Sequence, residues 1–315
     1  MVEAVEAKPW YNLKLPEGKV WQLDTDVDKM YEGLEDIGIG PRYLGEIRKG
    51  LWHLELGGPK HKYRGYLCSE MVFDPNDVVD GRVELIGPDV DEIAPETSLP
   101  FAVHIRVYGS ELNEDHSEFV ERGAELALFF AEGWGVVGAR DILWLRMSKE
   151  VAPRMSFKKI SQCMRSTLMA MCPLAEAVEI RWVLATPEIG GAELIEEMLK
   201  EVKPKWDALA ARHERISDED VDDFYGCTIC KMIAPNHACV VSPSHIPYCG
   251  VMTYWAAKAQ YDLDPHGYIF SMPRGEAVDA VTGRYTGVDD AIWEHSDHRS
   301  KIFHLYSVIK YPTTN

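Results

Sequence analysis

Apolar and polar positions change period along this chain, and the changes predict its elements. Phe101–Tyr108 alternates well enough for a strand, and Val178–Ala185 does so most clearly. Val83–Ile86, running into a Gly87–Asp89 turn, and Trp144–Met147 predict shorter strands. Ser117–Phe130 instead carries Phe119, Val120, Leu126, Phe129 and Phe130, a wide apolar face suited to a helix packed on a sheet. Phe157–Met171 places Ile160, Met164, Leu168 and Met171 on one helical stripe, and Pro173 ends it. Ala192–Val202 is a Glu/Lys-rich helix with Leu and Met inside, where Pro204 must kink it or start a second helix through Arg212. Asp26–Leu34 is expected to be a short helix closed by a turn at Gly38–Gly40, and Phe303–Ile309 a strand.

Helices and strands interleave through residues 17–215, so the expected class is α/β, in the mixed α+β sense. An arm at residues 1–16 precedes this central domain. The composition shifts at the acidic run Ile216–Asp223, which marks a boundary or a solvated helix start. Residues 216–315 are richer in Cys, Pro, His and Gly than anything before them. That segment is expected to be a second, incomplete domain, short of core-forming pattern and organised by a metal group.

Composition narrows the function. Lys plus Arg is 33 and Asp plus Glu is 51, a net charge of −18, the wrong sign for a nucleic-acid binder. The acidity is spread along the chain, as for a solvated surface or one that meets a basic partner. Hydrophobic content is 46%, but no apolar run reaches the roughly 18 residues of a membrane span. Met1–Pro16 lacks the apolar core of a signal peptide, so the chain reads as cytoplasmic. There the seven cysteines are expected to be ligands or core residues rather than disulfides.

Four of them fall close together, as Cys227-x2-Cys230-x8-Cys239-x9-Cys249, while Cys68, Cys163 and Cys172 are scattered and read as buried core thiols. Four thiolates suit either a tetrahedral zinc or a [4Fe–4S] cube. A zinc ribbon pairs two Cys-x2-Cys knuckles, whereas the second pair here is spread apart. That irregular spread favours the cube, with zinc still open. Pro235, Pro243 and Pro247 give the segment the look of a loop wrapped around something.

The residues around these cysteines carry a family resemblance. Phe224-Tyr225-Gly226-Cys227, Cys230, Ala234-Pro235-Asn236-His237, Cys239, Pro243 and Tyr248-Cys249-Gly250 resemble the cluster-binding segment of acetyl-CoA synthase, the beta subunit of the acetyl-CoA decarbonylase/synthase complex. Ile86-Gly87-Pro88-Asp89, Arg140–Lys149 and Asp264-Pro265-x-Gly267-x-Ile269-Phe270 extend the likeness over most of the chain from about residue 20.

The resemblance implies an acyltransferase that makes or cleaves acetyl-CoA from CO, a corrinoid-bound methyl group and CoA. Its cofactors would be a [4Fe–4S] cluster and two nickel ions. Cys230 would be the catalytic, bridging cysteine, shared between the cube and the proximal nickel, while Cys227, Cys239 and Cys249 would hold iron alone. Ile233 and His237 would line the substrate pocket, Ile233 where the acetogenic form is expected to carry a phenylalanine. Carbon monoxide dehydrogenase and a corrinoid iron–sulfur protein would be partners, with ferredoxin as a further one. The family's distal nickel sits in a Cys-Gly-Cys tripeptide, and this sequence has no cysteine after Cys249. The tripeptide is therefore expected just beyond Asn315 in a parent protein, with these 315 residues inactive by themselves. The bacterial form's extra N-terminal domain is likewise expected to be absent, as in the archaeal architecture.

Other readings are weaker. Trp134, Arg140 and Arg146 have the chemistry to stack on and pair with CoA, against the simpler reading of ion pairs in an acidic protein. Asp24, Asp26, Asp28 and Glu35 imitate an EF-hand, but Lys29 stands where its glycine belongs. His295, His298 and His304 lack ligand spacing and read as surface or core residues. No P-loop or dinucleotide fingerprint occurs. The rival functions are a non-catalytic [4Fe–4S] electron carrier and a zinc-stabilised scaffold.

Overall fold

A computed structural model describes residues 10–26, 50–62, 64–132, 135–137, 143–228, 239–245, 247 and 252–306. These fall into two compact units, Met1–Asn113 with Val120–Lys205, and Glu114–Phe119 with Trp206–Asn315. The class is mixed α/β, as the pattern predicts.

The first unit is built on a five-stranded mixed sheet of β1 (Lys19–Gln22), β3 (Gly65–Met71), β4 (Arg82–Ile86), β6 (Phe101–Tyr108) and β9 (Ala177–Leu184), ordered β1-β4-β9-β6-β3. Its register aligns Leu67, Val103, Trp182 and Leu85 in one row, and Ile105, Ile180 and Val83 in the next. All are nearly inaccessible, and helix α2 (Phe157–Met171) covers that face. Ser156 caps α2 by accepting from Lys159 N, and Trp182 Nε1 donates to Ser161 Oγ at 2.8 Å in the dry interior.

The opposite face aligns Cys68, His104, Arg181 and Glu84, four chemically reactive side chains in one row. His104 Nε2 meets the Tyr66 hydroxyl at 3.0 Å, which meets the Tyr11 hydroxyl at 3.2 Å. The Arg106 and Arg181 guanidiniums lie over the Trp10 ring at 4.2 and 5.2 Å. Burial holds the His104 imidazole neutral, its pKa well below the usual range.

A second sheet, β5-β2-β8-β7, joins β5 (Thr97–Leu99), β2 (Trp52–Gly57), β8 (Leu143–Ser148) and β7 (Gly135–Val137). Helix α1 (Ser117–Glu132) forms as expected, with Phe119, Val120 and Leu128 buried and Leu126 half-buried, while the side chains of Phe129 and Phe130 lie outside the described residues. Helix α3 (Gly191–Glu214) continues through Pro204, so no second helix starts there, a correction to the expected restart. A proline costs a helix one N–H bond, and twenty-four residues of helix absorb that loss.

The second unit has an antiparallel sheet β11-β10-β12, from β10 (Asp223–Cys227), β11 (Cys239–Val241) and β12 (Ile269–Pro273). A short hairpin, β13 (Ala277–Asp279) and β14 (Arg284–Tyr285), and helices α4 (Tyr254–Leu263) and α5 (Thr286–His295) complete it. The expectation that this segment lacks core-forming pattern does not hold. Phe224, Val240, Met272, Tyr285, Val288, Ile292, Phe303 and Leu305 form one apolar cluster, and Tyr225, Val241, Tyr254, Ala257 and Ile269 a second on the other sheet face. Strands this short hide their alternation in the sequence, since three to five residues hold barely two periods.

The acidic run Ile216–Asp223 contributes a one-turn helix at Asp218–Asp220, with Ser217 and Asp220 forming a capping box, and then enters β10. Phe303–Leu305 is not a strand but packs into the core by side chain, with a single bridge at Tyr306. The rest of that stretch, and the Asp26–Leu34 helix beyond Asp26 with its Gly38–Gly40 turn, lie outside the described residues.

Candidate metal centre

The cysteine face of β10 is set by alternation. Tyr225 and Cys227 project to one side, Phe224 and Gly226 to the other. Cys227 pairs across the ladder with Cys239 of β11 and with Ile269 of β12. Residues directly opposite in an antiparallel ladder share a face with Cα atoms about 4.5–5.5 Å apart. Twelve positions of chain separate the two thiols in sequence, and the hairpin pairs them on one surface.

That surface is largely dry. Cys227 is buried and Cys239 half-buried, within a shell of Tyr225, Val241, Tyr254, Ala257, Ile269 and Met252. Helix α4 supplies the cover, capped by Thr253, whose hydroxyl accepts from Ala256 N at 3.1 Å. Burial pushes the hydroxyls of Tyr225 and Tyr254 up, Tyr254 to about 12, so both stay neutral beside the thiols. Tyr268 is raised too, by burial first and then by Cys227. Thr228 donates to the Tyr268 carbonyl at 3.0 Å, continuing the ladder for one residue past Cys227.

Two soft thiol donors on one shielded face suit a thiolate-held metal group, whether a cube or a zinc ion. Cys230 and Cys249, the other half of the quartet, lie outside the described residues, as do Ile233 and His237. The scattered cysteines behave as core residues: Cys68, Cys163 and Cys172 are buried, and burial raises the latter two thiols.

Of the residues with CoA-like chemistry, Trp134 and Arg140 fall outside the described residues. Arg146 is engaged: its Nε donates to Glu55 Oε2 at 2.9 Å and its guanidinium lies 4.2 Å over the Trp144 ring. Glu55 is buried and also accepts from Trp144 Nε1 at 2.9 Å and Ser98 Oγ at 3.1 Å. Sequence reasoning missed a cavity of about 420 Å³ in the first unit, lined by His61, Ser98, Pro100, Gly190, Gly191 and Glu193 at the start of α3. The Gly190-Gly191 pair, both at positive φ, was its only signal. His295 stacks on Phe270 at 3.5 Å, His298 meets Glu294 at 3.3 Å, and His304 meets Thr282 at 2.8 Å. Among the described residues no helix is long and apolar enough to cross a membrane.

Comparison with known proteins agrees with the family resemblance. A family model described as the CO dehydrogenase/acetyl-CoA synthase complex beta subunit matches residues 36–189, and one for the C-terminal region of the ACS/CODH beta subunit matches residues 206–315. The acetyl-CoA decarbonylase/synthase complex subunit beta of Methanopyrus kandleri is 34% identical over 282 residues, 89% of this chain and 58% of that protein. Its counterpart in Methanothermobacter thermautotrophicus is 32% identical over 288 residues, 91% of this chain and 60% of that protein. The carbon monoxide dehydrogenase/acetyl-CoA synthase subunit alpha of Moorella thermoacetica is 30% identical over 284 residues, 89% of this chain and 37% of that protein. The chain thus spans about three-fifths of the first two relatives. With the two family models together accounting for most of its length, the chain belongs to the CO dehydrogenase/acetyl-CoA synthase beta-subunit family.

Proposed function

We propose that this chain carries the iron–sulfur half of a nickel–iron–sulfur centre in an acyltransferase that makes or cleaves acetyl-CoA. Cys227, Cys230, Cys239 and Cys249 would hold a [4Fe–4S] cluster, and Cys230 would also be a ligand to nickel. When bound, the metals supply the chemistry that joins CO to a methyl group and passes the acetyl to CoA. The observation that supports this most is the pairing of Cys227 with Cys239 on a covered face of the sheet.

The protein's own contribution is shelter and position. The β10–β11 ladder fixes the spacing of two thiols before any metal arrives, which lowers the ordering cost of binding. Tyr254, Ala257 and Ile269 exclude water from that face, and neutral tyrosines place no competing negative charge beside the thiolates. Ile233 and His237 would border the reacting carbon ligands, and Trp134, Arg140 and Arg146 remain the candidates for CoA. The relatives are subunits of carbon monoxide dehydrogenase/acetyl-CoA synthase assemblies by name. Carbon monoxide dehydrogenase, a corrinoid iron–sulfur protein and ferredoxin are the partners this reading calls for.

Anaerobic reconstitution with iron and sulfide tests the centre. About four irons per chain and broad visible absorbance are expected, falling to about one or none in Cys227→Ser or Cys239→Ser. A colourless chain that takes one zinc instead would overturn the cube in favour of a zinc-stabilised scaffold.

A further inference from the structure

The cover over the paired cysteines is anchored by a carboxylate from elsewhere in the chain. Helix α4 lays its first turn on that face. Ala257 is fully buried there, and the rings of Tyr254 and Tyr225 have centres 5.5 Å apart, with Cys227 and Ile269 in the same cluster. Thr253, the residue before this turn, uses one hydroxyl twice. It accepts from Ala256 N at 3.1 Å, capping α4, and it donates to Glu118 Oε2. Glu118, 6% exposed, lies in the first turn of α1, and its Oε1 is 2.7 Å from Nε2 of His213 in the last turn of α3. A second set of contacts from the same places reaches the same helix. Arg212 donates to Asp115 Oδ1 at 2.7 Å and lies 4.4 Å over the Trp255 ring, and Asp115 Oδ2 is 3.3 Å from Lys258 Nζ.

An acid in the first turn of a helix ordinarily answers that helix's own N–H groups. Glu118 instead directs one oxygen to the cap of α4 and the other to α3. Taking a carboxylate out of water is costly unless its oxygens are matched by donors, and here Thr253 and His213 match them. A hydroxyl that gives its proton to a carboxylate is also a better acceptor, so the same contact strengthens the cap. The direction of the Thr253 side chain, and with it the placing of Tyr254 and Ala257, is set by a residue 135 positions away.

We propose that Glu118 is a positioning residue for the thiol face: through Thr253 it sets the first turn of α4 over Cys227 and Cys239 and keeps water and small oxidants from them. The inference rests on the reading of these cysteines as cluster ligands. Glu118 acts through the helix cap rather than by contact with a thiol.

The test uses Glu118→Ala, Thr253→Val and Thr253→Ser in the full chain. Valine keeps the shape of threonine without its hydroxyl, whereas serine keeps the hydroxyl. In the metal-free chain, alkylation of Cys227 and Cys239 is expected to rise about fivefold or more in Glu118→Ala and Thr253→Val. Cys163 and Cys172 are expected to keep their wild-type rates, and Thr253→Ser to stay close to wild type. Combining Glu118→Ala with Thr253→Val is expected to add little to either change, because both cut one connection. After reconstitution, the visible absorbance of Glu118→Ala is expected to bleach in air about fivefold faster than wild type. Wild-type alkylation of Cys227 and Cys239, or wild-type bleaching, in Glu118→Ala overturns the proposal. So does an equal rise at Cys163 and Cys172, which is general loosening, and so does full additivity of the combined change. If Glu118→Ala fails to fold, Glu118→Gln decides, since it keeps the shape and gives up the charge: an intermediate rise at Cys227 and Cys239 is expected, and wild-type rates overturn the proposal. If the wild-type chain takes up no iron, the cluster reading fails, and the alkylation contrast still judges the cover on its own.

Discussion

At the scale of single residues, the strand before the first cysteine depends on a missing side chain. A Cβ at Gly226 would lie 2.1 Å from the ring of Phe270, which crosses the strand there and stacks on His295. Gly226→Ala must displace that ring, and a loss of about 1–3 kcal/mol is expected from chemical denaturation. Adding Phe270→Leu should return part of it, and strict additivity of the two changes would sink the explanation. His245 gives a pH dependence. Burial pushes its pKa down to about 4, against a smaller upward pull from Asp218. Its ordinary value is about 6.5, so on acidification the unfolded chain takes the proton first. Stability from this group is complete above pH 6.5 and declines as pH falls towards 4, by about 3 kcal/mol in total. An imidazole resonance that titrates near pH 6.5 in the folded protein would contradict this, whereas one still neutral at pH 5 is expected.

At the scale of elements, α3 carries a local cost that can be removed. Pro204 lacks the N–H that would bond back to the turn before it, yet the helix continues from Gly191 to Glu214. Pro204→Ala is expected to raise the melting temperature, with a gain of about 1–3 kcal/mol. A lower melting temperature would mean that packing around the proline requires its geometry. The same comparison shows what pattern can and cannot reveal. Residues 157–171 were legible as a helix because a regular apolar stripe and a closing proline agree. Phe101–Tyr108 was legible because one long strand shows several periods. The row Cys68, His104, Arg181 and Glu84 was not, since burying polar groups across four strands breaks the alternation each strand would show alone. At the candidate site the cysteine spacing was readable, because ligand chemistry is written in residue type. The hydrogen bonds that Asp218 accepts from Ser244 and Tyr306, and Glu118 from Thr253, were not, since each depends on a partner far along the chain.

At the scale of the whole molecule, the two units have separate cores, and only one contains the cysteine quartet. A ligand that binds the folded form alone adds RT ln(1 + [L]/Kd) to the stability of whatever unfolds when it is released. Structural metal groups held by thiolates contribute on the order of 10 kcal/mol in small domains, because the site does not exist in the unfolded chain. The gain should therefore appear first in the second unit, at amides of β10, β11 and β12 that exchange only when this sheet opens. Amides of Val103, Ile105, Ile180 and Trp182, deep in the first unit, sit in a sheet whose opening releases no thiolate. Native-state hydrogen exchange on the metal-free and reconstituted chain is expected to slow the first group by at least about a hundredfold and leave the second within about threefold. Equal slowing of both groups would show a single cooperative unit, in which the cluster stabilises the entire chain. No slowing in either would remove the cluster from the folding energetics, and with it the main reason for Cys227 and Cys239 to pair on one sheet.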